Sequence, residues 1–270
     1  MDQVEYVAPN FPSAAFAGTA GYYVRYRLPY PAGFLADLLR RSDVTGNGQL
    51  LDLACGPGRL ALPLASSFKE VWAVDLEQEM IAAGQLEAAR RGVRTIRWSV
   101  GRAEDLSLSP ASMELITIGE AFHRLDQRLV ASRALQWLKP GCCIATLGCF
   151  SILSQGEPWQ RVVMDVVRHW TSRGAPEPRR PGVGPDHDGR VLRDCGFVEV
   201  ASYPFVERQD WTIESIVGYL YSTSLCSKAV LGGNVDSFEA ALRTALLEHD
   251  PSGIYRENIQ WGFTLGRKPR

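Results

Sequence analysis

Along this chain of 270 residues, short runs of apolar and β-branched residues alternate with longer stretches whose apolar positions recur every three to four residues. That alternation predicts an α/β fold, a mostly parallel sheet with helices packed on both faces. The short runs predict strands over Gln49–Ala54, Glu70–Asp75, Thr95–Val100, Met113–Gly119, Cys142–Leu147 and Val198–Val206, with a last strand near Ile259–Gly266. The helical period predicts helices over Ala32–Arg41, Arg59–Ser66, Glu77–Gly92, Asp126–Leu138 and Glu157–Ser172, the fourth stopped by Lys139-Pro140-Gly141.

Three segments interrupt the alternation. The first, Asn10–Pro31, is rich in Tyr and Phe and broken by Pro12, Pro29 and Pro31, which predicts an irregular or short-helical cap. The second, Arg173–Gly189, carries too much Pro and Gly for regular structure and predicts a surface loop or lid. The third, Trp211–Asp250, holds two helical patterns ahead of the last strand and predicts an insertion that closes over a site. In this reading 1–270 is one domain: cap and first helix at 10–48, core at 49–206, substrate-covering helical insertion at 207–257, last strand and tail at 258–270.

Composition narrows the partners. With 46% hydrophobic residues the chain can bury a full core. Its 29 Lys and Arg balance 30 Asp and Glu, so no broad footprint for nucleic acid or an anionic membrane is expected and a small-molecule partner is. The start, MDQVEYVAPNFPSAAF, lacks a basic flank followed by an apolar core, and no apolar run is long enough to span a bilayer. A cytoplasmic protein, monomer or homodimer, is the expectation. The 6 cysteines form no C-x-x-C pair and have no histidines at ligand spacing, which predicts reduced thiols and no metal.

The chemistry concentrates at Leu50-Leu51-Asp52-Leu53-Ala54-Cys55-Gly56-Pro57-Gly58-Arg59-Leu60, an apolar strand running into a glycine turn and then a helix. Gly56 and Gly58 permit close backbone approach to a ligand, and the following helix start offers N–H groups. Asp75 closes the next strand, near the roughly 20-residue spacing at which a carboxylate reaches ribose hydroxyls. Both features point to an adenosyl ligand. A nicotinamide dinucleotide shares this logic, with Ala61 in the place of the third glycine, so an NAD-dependent oxidoreductase is the rival reading.

These residues resemble the glycine loop and acidic strand end of class I S-adenosylmethionine (SAM)-dependent methyltransferases. The resemblance continues through Ala103-Glu104-Asp105, Gly119-Glu120-Ala121-Phe122-His123 and Leu138-Lys139-Pro140-Gly141, departing at Ala54, where many members have glycine. It implies a Rossmann-like fold with a seven-stranded sheet, SAM as cofactor and S-adenosylhomocysteine (SAH) as product. It also implies that Asp52 lies near the methionine end, that Ala54, Gly56 and Gly58 form the loop beneath, and that Gly119 faces the cofactor. Asp75 would hold the ribose, Leu76 and Met80 would flank the adenine, and Ala103 with Glu104 or Asp105 would meet its amino edge. Arg25 or Arg27 is the candidate for the methionine carboxylate.

On the acceptor side, Glu120 and His123 follow the fourth strand, where ligands of open α/β sheets bind, and His123 either takes a proton or packs beside Phe122. Tyr22, Tyr23, Tyr26, Trp211 and Tyr219 either line the site near a cationic sulfonium or seal the domain. The segments at 21–31 and 211–253 resemble bacterial small-molecule methyltransferases of antibiotic pathways, more weakly those that N-methylate gentamicin-type aminoglycosides. That implies an amino group on a sugar ring as acceptor, with Glu177, Asp186, Asp188, Asp210 and Glu214 drawing in a polycation and His187 brought in by the lid. O- or C-methylation of another secondary metabolite, or SAM binding without transfer, are the alternatives.

Overall fold

The computed structural model describes residues 18–152, 156–171 and 187–270. Seven strands form one sheet: β1 (Gln49–Leu53), β2 (Glu70–Asp75), β3 (Ile96–Val100), β4 (Met113–Gly119), β5 (Leu138–Phe150), β6 (Val198–Thr212) and β7 (Ile254–Arg267). Their order is β3-β2-β1-β4-β5-β7-β6. β1 to β5 pair in parallel and β7 runs antiparallel to both its neighbours. The central β1 and β4 are buried on both faces, which is why they read as mainly apolar runs, with Asp52, Glu114 and Thr117 as buried polar exceptions. Strand order reverses between β1 and β4, the crevice where open α/β sheets bind ligands.

Helices α2 (Ala32–Arg41), α3 (Ala61–Leu64) and α4 (Gln78–Arg90) pack on one face, and α5 (Gln127–Trp137) and α7 (His187–Asp194) on the other. Helix α5 starts where Asp126 accepts the Leu129 N–H. Helix α6 (Pro158–Trp170) starts with Pro at its first turn and a Glu157/Gln160 capping box. The insertion between β6 and β7 consists of α8 (Ile213–Tyr221), α9 (Lys228–Leu231) and α10 (Val235–His249), which joins α6 in the first core layer. The cap contributes α1 (Ala20–Tyr26).

Four elements differ from the sequence expectation. β5 runs over Leu138–Phe150 and takes in Lys139-Pro140-Gly141, expected as a helix stop ahead of the strand. β6 continues to Thr212 and β7 begins at Ile254, so 207–212 and 254–257 are strand, and the helices occupy only the stretch between. The extension was hidden because Glu-Arg-Gln-Asp of β6 is a polar edge, and because Glu257 sits on the buried face of β7 and breaks its apolar alternation. His187–Asp194 is helix α7, within a stretch whose Gly189 argued against one. Most of the expected lid lies outside the described residues.

Candidate active site

The crevice is built by the ends of β1, β2 and β4. After β1 the chain turns out of the sheet at Ala54, with φ 51°, then at Gly56 with φ 55° and Gly58 with φ 82°. Glycine adopts such angles freely; alanine does so at a cost of about 1–2 kcal/mol, so the turn is imposed by its surroundings. One fixing bond is the Gly56 N–H to Asp75 Oδ2, 2.7 Å, and Glu77 N–H donates to Oδ1 of the same carboxylate, 2.9 Å. Two donors occupy part of the Asp75 lone-pair capacity and leave the rest for ligand hydroxyls. Burial raises the Asp75 carboxyl, and these N–H groups oppose the shift.

Asp52 is deeper. Its Oδ1 accepts from Thr117 Oγ1 of β4 (2.8 Å) and its Oδ2 from the N–H of Ala61 at the start of α3 (3.1 Å), tying β1, β4 and α3 together. Burial pushes its carboxyl up to about 7 against those two bonds. Leu76, 47% exposed, follows Asp75 as an apolar surface, while Met80 is buried in α4 below it. Ala103 is buried; Glu104 accepts from Asp126 N–H (3.0 Å) and so braces α5, and the Asp105 side chain turns outward beside Arg102.

At the end of β4 the sequence reading missed the dominant feature, a buried arginine behind the glycine loop. Arg59 Nη1 pairs with Glu120 Oε2 at 2.6 Å, its Nη2 donates to the Leu28 carbonyl, and its guanidinium lies 4.7 Å from the Tyr30 ring centre. Its buried Nε–H has no acceptor among the described residues. Glu120, at φ 53°, also accepts from Cys149 Sγ at 3.4 Å. Burial would raise the Glu120 carboxyl, but Arg59 and Arg27 outweigh it and hold it below the usual range. Tyr23, Tyr30, Asp52, Ala54, Cys55, Arg59, Leu60 and Gly119 enclose a cavity of about 10 Å³. Gly119 is packed so closely that an added Cβ would stand 2.5 Å from the Tyr30 hydroxyl. The signal for Arg59 was in the sequence: a lone cation one residue past the glycine turn, at the start of the mainly apolar run Leu60-Ala61-Leu62-Pro63-Leu64-Ala65.

Arg27 belongs to the same cluster. Its Nε donates to Ser222 Oγ (2.9 Å) and Nη1 to Tyr219 OH (3.3 Å), with its guanidinium 5.0 Å from the Tyr23 ring centre and 4.6 Å from that of Tyr219. His123, in the turn after β4, is pushed down to about 4 by burial, with Arg124 adding to the effect.

Several expected residues lie elsewhere. The Arg25 side chain is 70% exposed and pairs with Glu214 on the surface, which removes it from the carboxylate role. Trp211 is 1% exposed and donates its indole N–H to Glu257, so it is core and lines no acceptor space. Tyr22 packs edge-on to Tyr221, and Tyr26 lies on Gly218 with its hydroxyl on Glu214; both dock α1 on α8. His187 bonds Gln127 at the start of α5 (3.0 Å), and Asp188, its carboxyl raised by burial, begins α7 on the opposite face of the sheet from Tyr30 and Leu60. Asp186 and Glu177 lie outside the described residues. Among the described residues no His, Cys, Asp and Glu group could hold a metal, no helix is long and apolar enough to cross a membrane, and the cysteines are free thiols.

Residues 50–141 match the family model of a methyltransferase domain. The chain is 38% identical over 93 residues to the ubiquinone/menaquinone biosynthesis C-methyltransferase of Rubrivivax gelatinosus, a match over 34% of this chain and 36% of that protein. To the nocamycin O-methyltransferase of Saccharothrix syringae it is 28% identical over 206 residues, 70% of this chain and 73% of the other. The phosphoethanolamine N-methyltransferase 2 of Haemonchus contortus, solved with phosphomonomethylethanolamine and SAH, superposes with a TM-score of 0.55 at 17% identity, over 97% of this chain and 59% of that one. The strand order and the glycine loop bonded to Asp75 agree with these matches, and over residues 50–141 the chain is similar to methyltransferase domains.

Proposed function

We propose that the protein transfers a methyl group from SAM to a small-molecule acceptor. The carrying observation is the glycine loop held on Asp75 by the Gly56 N–H at the reversal of strand order, a cradle shaped for an adenosyl ribose. When bound, SAM supplies an electrophilic methyl group whose departing thioether needs no acid. The protein's part is to orient the partners and to keep water out. Asp75 accepts the ribose hydroxyls, and Leu76 with Met80 flanks the adenine. Arg59, with its orphaned Nε–H beside Gly119, takes the methionine carboxylate in place of Arg25.

For the acceptor, the resemblance of the cap and insertion supports an aminoglycoside amine, whereas the similar proteins named above are a C-, an O- and an N-methyltransferase and favour no one atom. Of the acidic residues expected to attract a polycation, the described ones, Asp188, Asp210 and Glu214, do not form a focused site. Asp210 is shared by Arg208 and Arg256, and Glu214 by Arg25 and Tyr26, all at the surface.

Calorimetric titration with SAM, SAH and NAD tests the cofactor assignment. SAM and SAH bind and NAD does not; Asp75→Ala and Arg59→Gln each weaken SAM by about tenfold or more, since each loses charge-assisted hydrogen bonds worth roughly 1.5–3 kcal/mol. Unchanged SAM affinity in Asp75→Ala, or preferential NAD binding, would overturn the assignment.

A further inference from the structure

Among the described residues, cations outnumber carboxylates on the acceptor side of the site. Arg27, Arg59 and Arg124 interact electrostatically around Tyr23, and the carboxylate all three feel is that of Glu120. Asp75 also acts on Arg124, but it lies on the ribose side with Gly56 and Glu77, and Asp52 lies beneath the loop with Thr117 and Ala61. Glu120 is committed to Arg59 by direct pairing. Arg27 makes its direct hydrogen bonds and ring contacts to groups without formal charge, the Ser222 hydroxyl, the Tyr219 hydroxyl and two aromatic faces, and feels Glu120 only at longer range. Those faces come from the cap and from α8, so Arg27 stands where the insertion meets the cofactor crevice. SAM does not redress the imbalance, because its carboxylate offsets its own ammonium and the sulfonium remains.

We propose that the acceptor is a small carboxylic acid methylated on its carboxylate oxygen, with Arg27 as the residue that binds it. The inference rests on the SAM assignment above. In the transfer, a lone pair of the carboxylate oxygen forms the new O–C bond as the C–S bond breaks, and that bond's electron pair stays on sulfur. Anion and sulfonium become neutral ester and neutral thioether, and no proton moves.

The absence of a proton step suits these side chains. Glu120 is already bonded to Arg59 and Cys149, and burial with the neighbouring Arg124 makes His123 a weak base. An alkylammonium acceptor would have to surrender a proton to one of them before reacting. A polycation would also have to enter against two buried guanidinium groups, where like charges in a poorly solvated site repel strongly.

The test uses the full chain saturated with SAH and a series of acids from acetate through benzoate to 1-naphthoate, each paired with its primary amide, with kanamycin as the cationic arm. Binding is followed by calorimetry. The expected result is that acids bind about tenfold or more tightly than their amides. Arg27→Gln, at an SAH concentration that calorimetry shows to saturate the variant, removes this preference, and Arg27→Lys, which keeps the charge, retains most of it. With SAM in place of SAH, the bound acids yield base-labile methyl esters. Acids and amides binding alike throughout the series, or kanamycin binding and becoming N-methylated, would overturn the proposal. Failure of SAH itself to bind is a separate outcome and removes the cofactor assignment first.

Discussion

Ala54 and Glu120 both hold left-handed backbone, and they end the two strands that flank the crevice. Strain of about 1–3 kcal/mol per residue persists only where neighbours over-determine it, and here the neighbours are Asp75, acting through Gly56, and Arg59. A different buried carboxylate makes a stability prediction. Glu257, 5% exposed, accepts from Trp211 Nε1 (2.9 Å) and Ser151 Oγ (3.2 Å), yet burial pushes its carboxyl up to about 7. Its folded value lies above the unfolded one of about 4.3, so folding takes up a proton between those values. This contribution is complete below about pH 4.3 and is lost as pH rises through 7. Urea unfolding should therefore show wild-type stability falling between pH 5 and 8 by roughly 3 kcal/mol more than that of Glu257→Gln, which keeps an acceptor oxygen but cannot ionise. Parallel pH profiles would refute the assignment. At this scale the sequence exposed Asp75 and the glycines, because spacing alone selects them. It left Arg25 and Arg27 open for the methionine carboxylate and did not single out Arg59, because which arginine faces inward depends on how the cap folds back over the loop.

Among the elements, α1 is the one held mainly by side-chain caps on a neighbour. Tyr26 lies so close to Gly218 of α8 that an added Cβ would collide with the ring, and Tyr22 meets Tyr221 edge-on, their centres 5.3 Å apart. Gly218→Ala should dislodge Tyr26 and lower stability by about 1–3 kcal/mol, seen as a reduced thermal midpoint, and adding Tyr26→Ala should recover part of the loss. A Gly218→Ala midpoint equal to wild type would mean that α1 does not dock as described. Strands that are buried on both faces, such as β1 and β4, were legible to within a residue. The outer halves of β6 and β7 were not, since their alternation is polar and Glu257 interrupts it, and α7 was masked by a glycine in its first turn.

Taken whole, the molecule carries its insertion on a rigid support. β6 and β7 pair continuously from Ala201↔Leu265 to Thr212↔Ile254, so α8 to α10 leave and re-enter the fold through one paired ribbon. Among the described residues helix α1 has no such strand anchor; beyond α8 it is tied by the Gly18 N–H on Glu79 (2.8 Å) and by ring contacts of Tyr22 with Lys228 and of Tyr23 with Arg59. Hydrogen exchange should accordingly be faster in the amides of α1 than in those of α8 and α10, and SAH should slow α1 selectively. Uniform protection across the three helices would contradict this.

The cavity of about 10 Å³ beneath Tyr23 then has a kinetic meaning, because ligand sites for molecules of this size span about 300–1,000 Å³. Seating a ligand of that size displaces Tyr23 and the seven-residue helix that carries it, so cofactor entry waits on a movement of the cap.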